Sequence, residues 1–304
     1  MGNGKVSGLV YLYVSIAILL WGFSFIWTND LIGYDVPIFV FIFMRMAIAG
    51  SLMVVISKVA GKLQKIRKKD LKWFFLMSFF EPFIYFIGES YGLKITNSAT
   101  LSAVIIATIP LFSLIIGQIL YKEKLTGLNI AGIIITLPGV ILFVWSEGSI
   151  KAEYYYGILF LLLAVLGAVG YSAVCKKLTE NYNAFTITTY QFVIAALFFL
   201  TPFIIWGLPE WKPEFLSFRV LKPLLFLAVL CSCLAFVLYV KSMEKLGMTR
   251  TVIFTSLIPA ISAIGAYFSG REVFSIQQIL GMVIALGGVI LAQYKKPDFF
   301  QRSK

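Results

Sequence analysis

The chain has no histidine, only three cysteines, and charged residues at just 13% of its 304 positions. A soluble domain carries about 25% charged residues. Without histidine the commonest metal ligand and general base are gone, and zinc-protease motifs and Ser-His-Asp triads go with them. Cys175, Cys231 and Cys233 lie within or at the ends of apolar runs and form no metal-binding framework. They are expected to be buried, reduced thiols, and no metal or cofactor is expected. A Gly-x-x-x-x-Gly-Lys-Ser/Thr nucleotide-binding loop is also missing, which argues against ATP drive.

Apolar surface, by contrast, is in excess: 60% of the residues are hydrophobic and 16% aromatic. Too few polar residues remain to cover that surplus in a water-soluble globule. Soluble enzymes, nucleic-acid-binding modules and disordered chains are therefore excluded, and most of the protein is solvated by lipid. The net charge of +12 sits almost wholly between apolar runs. Phospholipid head groups and membrane topology account for it better than nucleic acid does.

A bilayer core about 30 Å thick needs roughly 20 apolar residues per helix. That ruler gives ten spans: 9–28, 37–57, 73–93, 98–120, 127–146, 155–175, 186–206, 221–242, 249–269 and 275–294. The fold class is an all-α integral membrane protein of ten transmembrane helices. Lys5 precedes the first apolar stretch, but that stretch runs on through Trp21-Gly22-Phe23 with no small-residue cleavage site, so it reads as a retained helix. Placing the N-terminus and every second loop on one side gathers nineteen Lys and Arg there, against six on the other, with Arg45 inside a span. The positive-inside bias then puts both termini in the cytoplasm, in a cell inner (cytoplasmic) membrane.

The chain also repeats itself. Residues 97–146 resemble 246–295 at a constant offset of 149: Pro110 falls on Pro259, Ser113 on Ser262, Lys122 on Arg271, Glu123 on Glu272 and Gly132 on Gly281. Gly139-Val140-Ile141-Leu142 falls on Gly288-Val289-Ile290-Leu291, and Gly22-Phe23-Ser24 echoes Gly170-Tyr171-Ser172. Residues 1–148 and 149–304 are thus expected to be two five-helix repeats, the second with a short cytoplasmic tail. An odd number of spans per repeat makes the second enter from the opposite side. Such inverted repeats mark alternating-access transporters, with the substrate site at the repeat interface near the midplane.

Two five-helix halves, Trp21-Gly22-Phe23-Ser24-Phe25 in the first helix, Arg45 in the second, and Pro110 with Tyr121-Lys122-Glu123-Lys124-Leu125 ending the fourth resemble the drug/metabolite transporter superfamily, closest to its EamA-type branch. The resemblance covers essentially the whole chain. It implies a ten-helix inner-membrane carrier, often an exporter of amino acids or other small metabolites. It also implies a central cavity lined by helices 1, 3, 4, 6, 8 and 9. The second half departs from the pattern, with Val169 at the Trp21 position and Gln191 at the Arg45 position.

Charges inside spans are unfavourable by at least roughly 2.5–3.5 kcal/mol near a helix centre, which singles out Arg45, Glu81 and Glu89. On a continuous helix Glu81 and Glu89 lie about 80° apart around the axis and 12 Å apart along it, two depths of one wall. They are candidates for proton coupling or for holding a substrate amino group. The alternatives are a structural pair with Arg45, a cap on a break at Pro82, or, for Glu89, a place near the outer interface. Arg45 suits a substrate carboxylate, but a gate or structural pair is favoured, and Gln191 fits the same role without charge. Trp21, Phe25, Tyr85, Tyr171 and Tyr239 lie on helices expected to face the cavity, where apolar walls with a few polar handles make a small-molecule site. Trp206, Trp211 and Tyr294 suit an interfacial belt. Glu123 and Glu272 either cap a following helix, latch a gate, or, as the favoured reading, form solvated ion pairs with Lys122 and Arg271. Pro110 and Pro259 are candidate hinges, and Gly132, Gly139, Gly281, Gly287 and Gly288 offer close helix contacts.

The expected function is a secondary transporter exporting an amino acid or related amphipathic compound. Its expected partners are that substrate, membrane lipids and protons as the candidate coupling ion, with the protein a monomer or homodimer. A facilitator, channel or lipid flippase is the alternative. An intramembrane enzyme is disfavoured because no Asp lies deep in a span.

Overall fold

The computed structural model describes residues 8–121, 126–146 and 152–292. A chain in lipid must satisfy its backbone within each segment, and every apolar run folds accordingly as helix. We label them α1 (Gly8–Gly33), α2 (Ile38–Val59), α3 (Lys68–Thr96), α4 (two pieces, Ala99–Ile106 and Ile109–Tyr121) and α5 (Gly127–Ser146). The second half supplies α6 (Ala152–Leu178), α7 (Ala184–Pro202), α8 (Phe218–Leu246), α9 (Met248–Ile253, a tighter turn Phe254–Leu257, then Ile258–Phe268) and α10 (Ile276–Ala292). Among the described residues nine spans are long and apolar enough to cross a bilayer, and α10 reaches 17 residues where the description ends. Bulky side chains such as Val59, Trp145 and Phe268 are left on the outside, as a lipid solvent allows.

Neighbour relations obey the repeat. α2 packs on α7 and α5 on α10, each against its own counterpart; α1 runs along α8 as α6 runs along α3, and α1 meets α9 as α6 meets α4. Exchanging the halves leaves these pairings unchanged, as a pseudo-two-fold axis between them requires. At the α5–α10 crossing, a Cβ on Gly139 would lie 2.4 Å from the Ala285 nitrogen, and one on Gly132 would lie 2.2 Å from that of Ala292. These backbones touch because the residues are glycine. Gly281 and Gly288 complete the seam, but Gly287 does not: a Cβ there meets nothing within 4 Å.

Among the described residues, four of the cavity-lining helices are interrupted, in equivalent pairs. α4 and α9 break just before Pro110 and Pro259, whose rings cannot continue the preceding hydrogen-bond ladder. α3 is interrupted over Phe79–Ile84, where Glu81 is extended (φ −146°, ψ 118°) and the Glu81–Pro82 peptide is cis. α8 widens over Phe226–Leu234 into turns that loosen the carbonyl ladder. In both α3 and α8 the other half repairs the break. Gln191 Nε2 on α7 donates to the Glu81 carbonyl at 3.1 Å. Trp21 Nε1 on α1 donates to the Cys231 carbonyl at 3.0 Å.

Each end of the bundle is tied. At the basic end the α2–α3 and α6–α7 connections interlock: Asn183 Nδ2 donates to the Lys62 carbonyl at 2.8 Å, the Asn183 amide to Gln64 Oε1 at 2.7 Å, and Tyr182 Oη to Asp70 Oδ2 at 2.7 Å. At the opposite end Arg271 pairs with Asp30 at 2.5 Å and donates to the Ile26 carbonyl at 3.1 Å. Glu272 Oε1 accepts from the Ala99 amide at 2.8 Å and the Thr100 amide at 3.3 Å. The expected Glu272–Arg271 ion pair is therefore corrected. The carboxylate caps α4, where first-turn amides without a helical partner and the helix dipole favour a negative charge, and the arginine reaches back to α1. Glu123, its repeat equivalent, and Tyr294 lie outside the described residues.

Candidate functional site

Between the two halves lies a buried cavity of about 40 Å³. α1 contributes Trp21, Ser24 and Phe25, and α3 contributes Glu81, Tyr85, Phe86 and Glu89. Tyr171 and Ser172 come from α6, and Phe236 and Tyr239 from α8. Ile106 and Ile109 flank the break in α4, and Thr255 and Ile258 flank that in α9. All seven side chains anticipated as substrate-binding thus meet on one cavity. The lining helices are those expected, with α2 added through Arg45.

The break at Pro82 changes how the carboxylates arrive. Glu81 and Glu89 do not sit on one uninterrupted helix, so the ideal 80° separation does not apply. The extended Glu81 delivers its side chain to the cavity next to the kink. Glu89, 3% exposed, is deep inside rather than at an interface. Its Oε1 accepts from Tyr85 Oη at 3.4 Å.

Arg45 is 3% exposed, yet among the described residues it forms no ion pair within 4 Å with either glutamate. This corrects the expected structural pair. Its Nε donates to Ser232 Oγ at 2.9 Å, and the guanidinium lies over the Phe86 ring, 4.1 Å from the centroid. A cation over an aromatic face is held partly by the ring quadrupole, which fixes the side chain without consuming its terminal nitrogens. Among the described residues those nitrogens and the Glu81 carboxylate have no hydrogen-bond partner. A guanidinium and a carboxyl group thus face one cavity with these atoms unpartnered among the described residues. Gln191 takes no part in the cavity; it holds the Glu81 carbonyl from behind.

Around these groups is an aromatic wall. The Trp21 ring packs 4.7 Å from Tyr239 and 4.9 Å from Phe236, and Phe236 meets Tyr171 at 6.0 Å. Because the Trp21 N–H is committed to Cys231, the indole presents its face rather than a donor. The three cysteines are free and buried, and no group of His, Cys, Asp and Glu suited to a metal occurs among the described residues.

Sequence reasoning missed Ser24, Ser172, Phe86, Phe236, Thr255 and the isoleucines. The repeat held part of the signal. Ser24 and Ser172 are equivalent positions, and the 149-residue offset carries Ile106 to Thr255 and Ile109 to Ile258. Paired positions beside the two prolines line one space, so symmetry could have selected them. Nothing in the sequence marked Phe86 or Phe236 among 28 phenylalanines.

A model of the EamA-like transporter family matches the chain twice, over residues 8–145 and 155–294. An uncharacterized transporter of Archaeoglobus fulgidus is 25% identical, the match covering 94% of this chain and 99% of the relative. The uncharacterized transporter YetK of Bacillus subtilis is 24% identical over 95% of this chain and 89% of its own length. A chloroplastic WAT1-related protein of Arabidopsis thaliana is 23% identical, covering 97% and 72%. A crystal structure of a protein with 17% identity superposes with a TM-score of 0.70 over 94% of this chain and 96% of the other, a likeness of fold.

Proposed function

The chain belongs to the EamA-like transporter family, within the drug/metabolite transporter superfamily, and from that premise we propose that it exports a small zwitterionic or amphipathic metabolite, such as an amino acid, by alternating access across the cytoplasmic membrane. The observation that carries this reading is the Arg45 guanidinium and the Glu81 carboxyl group, both lining the cavity and unpartnered there among the described residues. A buried polar group without a partner is unfavourable by about 1–3 kcal/mol, more when charged, so a ligand supplying both complements is strongly favoured there. A substrate carboxylate would take the fork of Arg45, its ammonium the carboxylate of Glu81, and its apolar part the Trp21–Phe236–Tyr239 wall.

A cavity of about 40 Å³ has room for about three water molecules, less than any metabolite needs. Passage therefore requires the helices to part. The breaks in α4 and α9 beside Pro110 and Pro259 border the cavity and are the natural hinges. Opening toward the outer face would release Arg271 from Asp30, and opening toward the cytoplasm would release the Asn183–Lys62 and Tyr182–Asp70 contacts. Glu89, beside Glu81 on the same wall, is the candidate proton carrier.

Counterflow in proteoliposomes tests the proposal, using a panel of amino acids and other metabolites with and without a pH gradient. Exchange without a gradient that becomes net accumulation with one supports a proton-coupled carrier. Exchange indifferent to the gradient makes it a facilitator and removes the coupling role of Glu89. A conductance without counterflow would overturn the carrier reading.

A further inference from the structure

Outside the central cavity, an open surface groove of about 610 Å³ runs along the lipid-facing side of α3 and α7. Its mouth carries Lys68 and Lys72, its wall Phe75 and Phe79, and its far side Phe198. The four α3 residues recur at three- and four-residue spacings, so they form one stripe along the helix, charged at the basic end and apolar towards the membrane centre. Phe198 closes the stripe from α7, its ring 6.0 Å from Phe75 and 6.3 Å from Phe79. Neither lysine is in an ion pair among the described residues. The nearby carboxylate, Asp70, is already engaged by Arg67 at 2.6 Å and Tyr182 at 2.7 Å.

We propose that this groove is a binding site for an anionic phospholipid, its phosphate between Lys68 and Lys72 and one acyl chain laid along Phe75, Phe79 and Phe198. Charge complementarity argues for this occupant. Two cations without ion pairs among the described residues, four residues apart and one of them (Lys72) 5.4 Å over the Trp73 ring, stand where the apolar stripe meets the head-group region, on the side where Lys and Arg are concentrated. A zwitterionic lipid would bring a second cation against them. A soluble anion would leave the phenylalanine stripe unused. Basic pockets at helix ends are a recurrent form of anionic-lipid recognition. The site would also bear on the transport machinery, because Phe79 opens the interrupted segment of α3 that delivers Glu81 to the cavity. A chain seated there packs against the outside of that kink.

Native mass spectrometry of the whole protein, with phosphatidylglycerol and phosphatidylcholine of identical acyl chains, tests the proposal. The parent should retain one phosphatidylglycerol in clear preference to phosphatidylcholine. Replacing both groove lysines (Lys68→Gln with Lys72→Gln) should weaken that retention about tenfold, and the control pair Lys65→Gln with Lys69→Gln should leave it intact. A Phe198→Trp reporter should be quenched more by chain-brominated phosphatidylglycerol than by brominated phosphatidylcholine. Equal retention of the two lipids by the parent would overturn the proposal. So would equal losses in the two lysine pairs, which would make the effect one of general surface charge, or displacement of the lipid by millimolar inorganic phosphate. These readouts do not depend on transport, so the site stands or falls separately from the proposed function.

Discussion

Single residues set the chemistry of the cavity through what they leave unbonded. Arg45 is held by Ser232 and Phe86 and keeps its terminal nitrogens, and Glu81 keeps its carboxylate because the kink uses only its carbonyl. Glu81→Gln retains the shape and that backbone contact but removes the charge. A hydrogen bond to a charged group contributes about 1.5–3 kcal/mol, so substrate affinity in a binding or counterflow assay should fall about tenfold or more, with the protein still folded. Glu89→Gln should instead alter the pH dependence of transport. If its pH profile and rate match the parent, the coupling role is wrong. Much of this was legible in the sequence, because a charge in an apolar span is conspicuous. The partnering was not. Arg45 beside two glutamates reads as a salt bridge, and nothing in the sequence shows that its Nε goes to Ser232 and its guanidinium to the Phe86 ring.

Helices carry the second layer. The ten spans followed from composition and length, and four of the five small-residue positions fell on the α5–α10 seam. Gly287 differs because packing depends on the face a residue occupies, and neighbouring glycines on a helix point about 100° apart. Gly139→Leu should therefore collapse the yield of folded protein in mild detergent, whereas Gly287→Ala should leave yield and melting temperature unchanged. A tolerated Gly139→Leu would mean the seam is looser than its contacts require. Glu272 tells a related story. The repeat marked it, but a carboxylate next to an arginine looks like an ion pair until the chain folds and brings the α4 amides to it. Glu272→Ala removes a cap of about 1 kcal/mol and should lower the thermal midpoint by about 2–4 °C, as followed by a thiol-independent melting assay. No shift would show that the α4 amides find another partner.

At the scale of the whole molecule, the 149-residue offset in sequence becomes pairing in space: α2 on α7, α5 on α10, and matched breaks in α3 with α8 and α4 with α9. The halves are not identical in chemistry. The first brings Arg45, Glu81 and Glu89 to the cavity, and the second brings Tyr171, Phe236 and Tyr239, so a symmetric frame encloses an asymmetric site. If this frame rocks, its two ends must open in turn, and the Arg271–Asp30 contact is the clasp at one of them. Cysteines at Asp30 and Arg271, joined by a short reducible bis-thiosulfonate linker, test this directly, since the three native thiols are buried. The account predicts that linking stops counterflow in proteoliposomes and that reduction restores it. Counterflow at the parent rate in fully linked protein would contradict movement of these helices and, with it, alternating access through the central cavity.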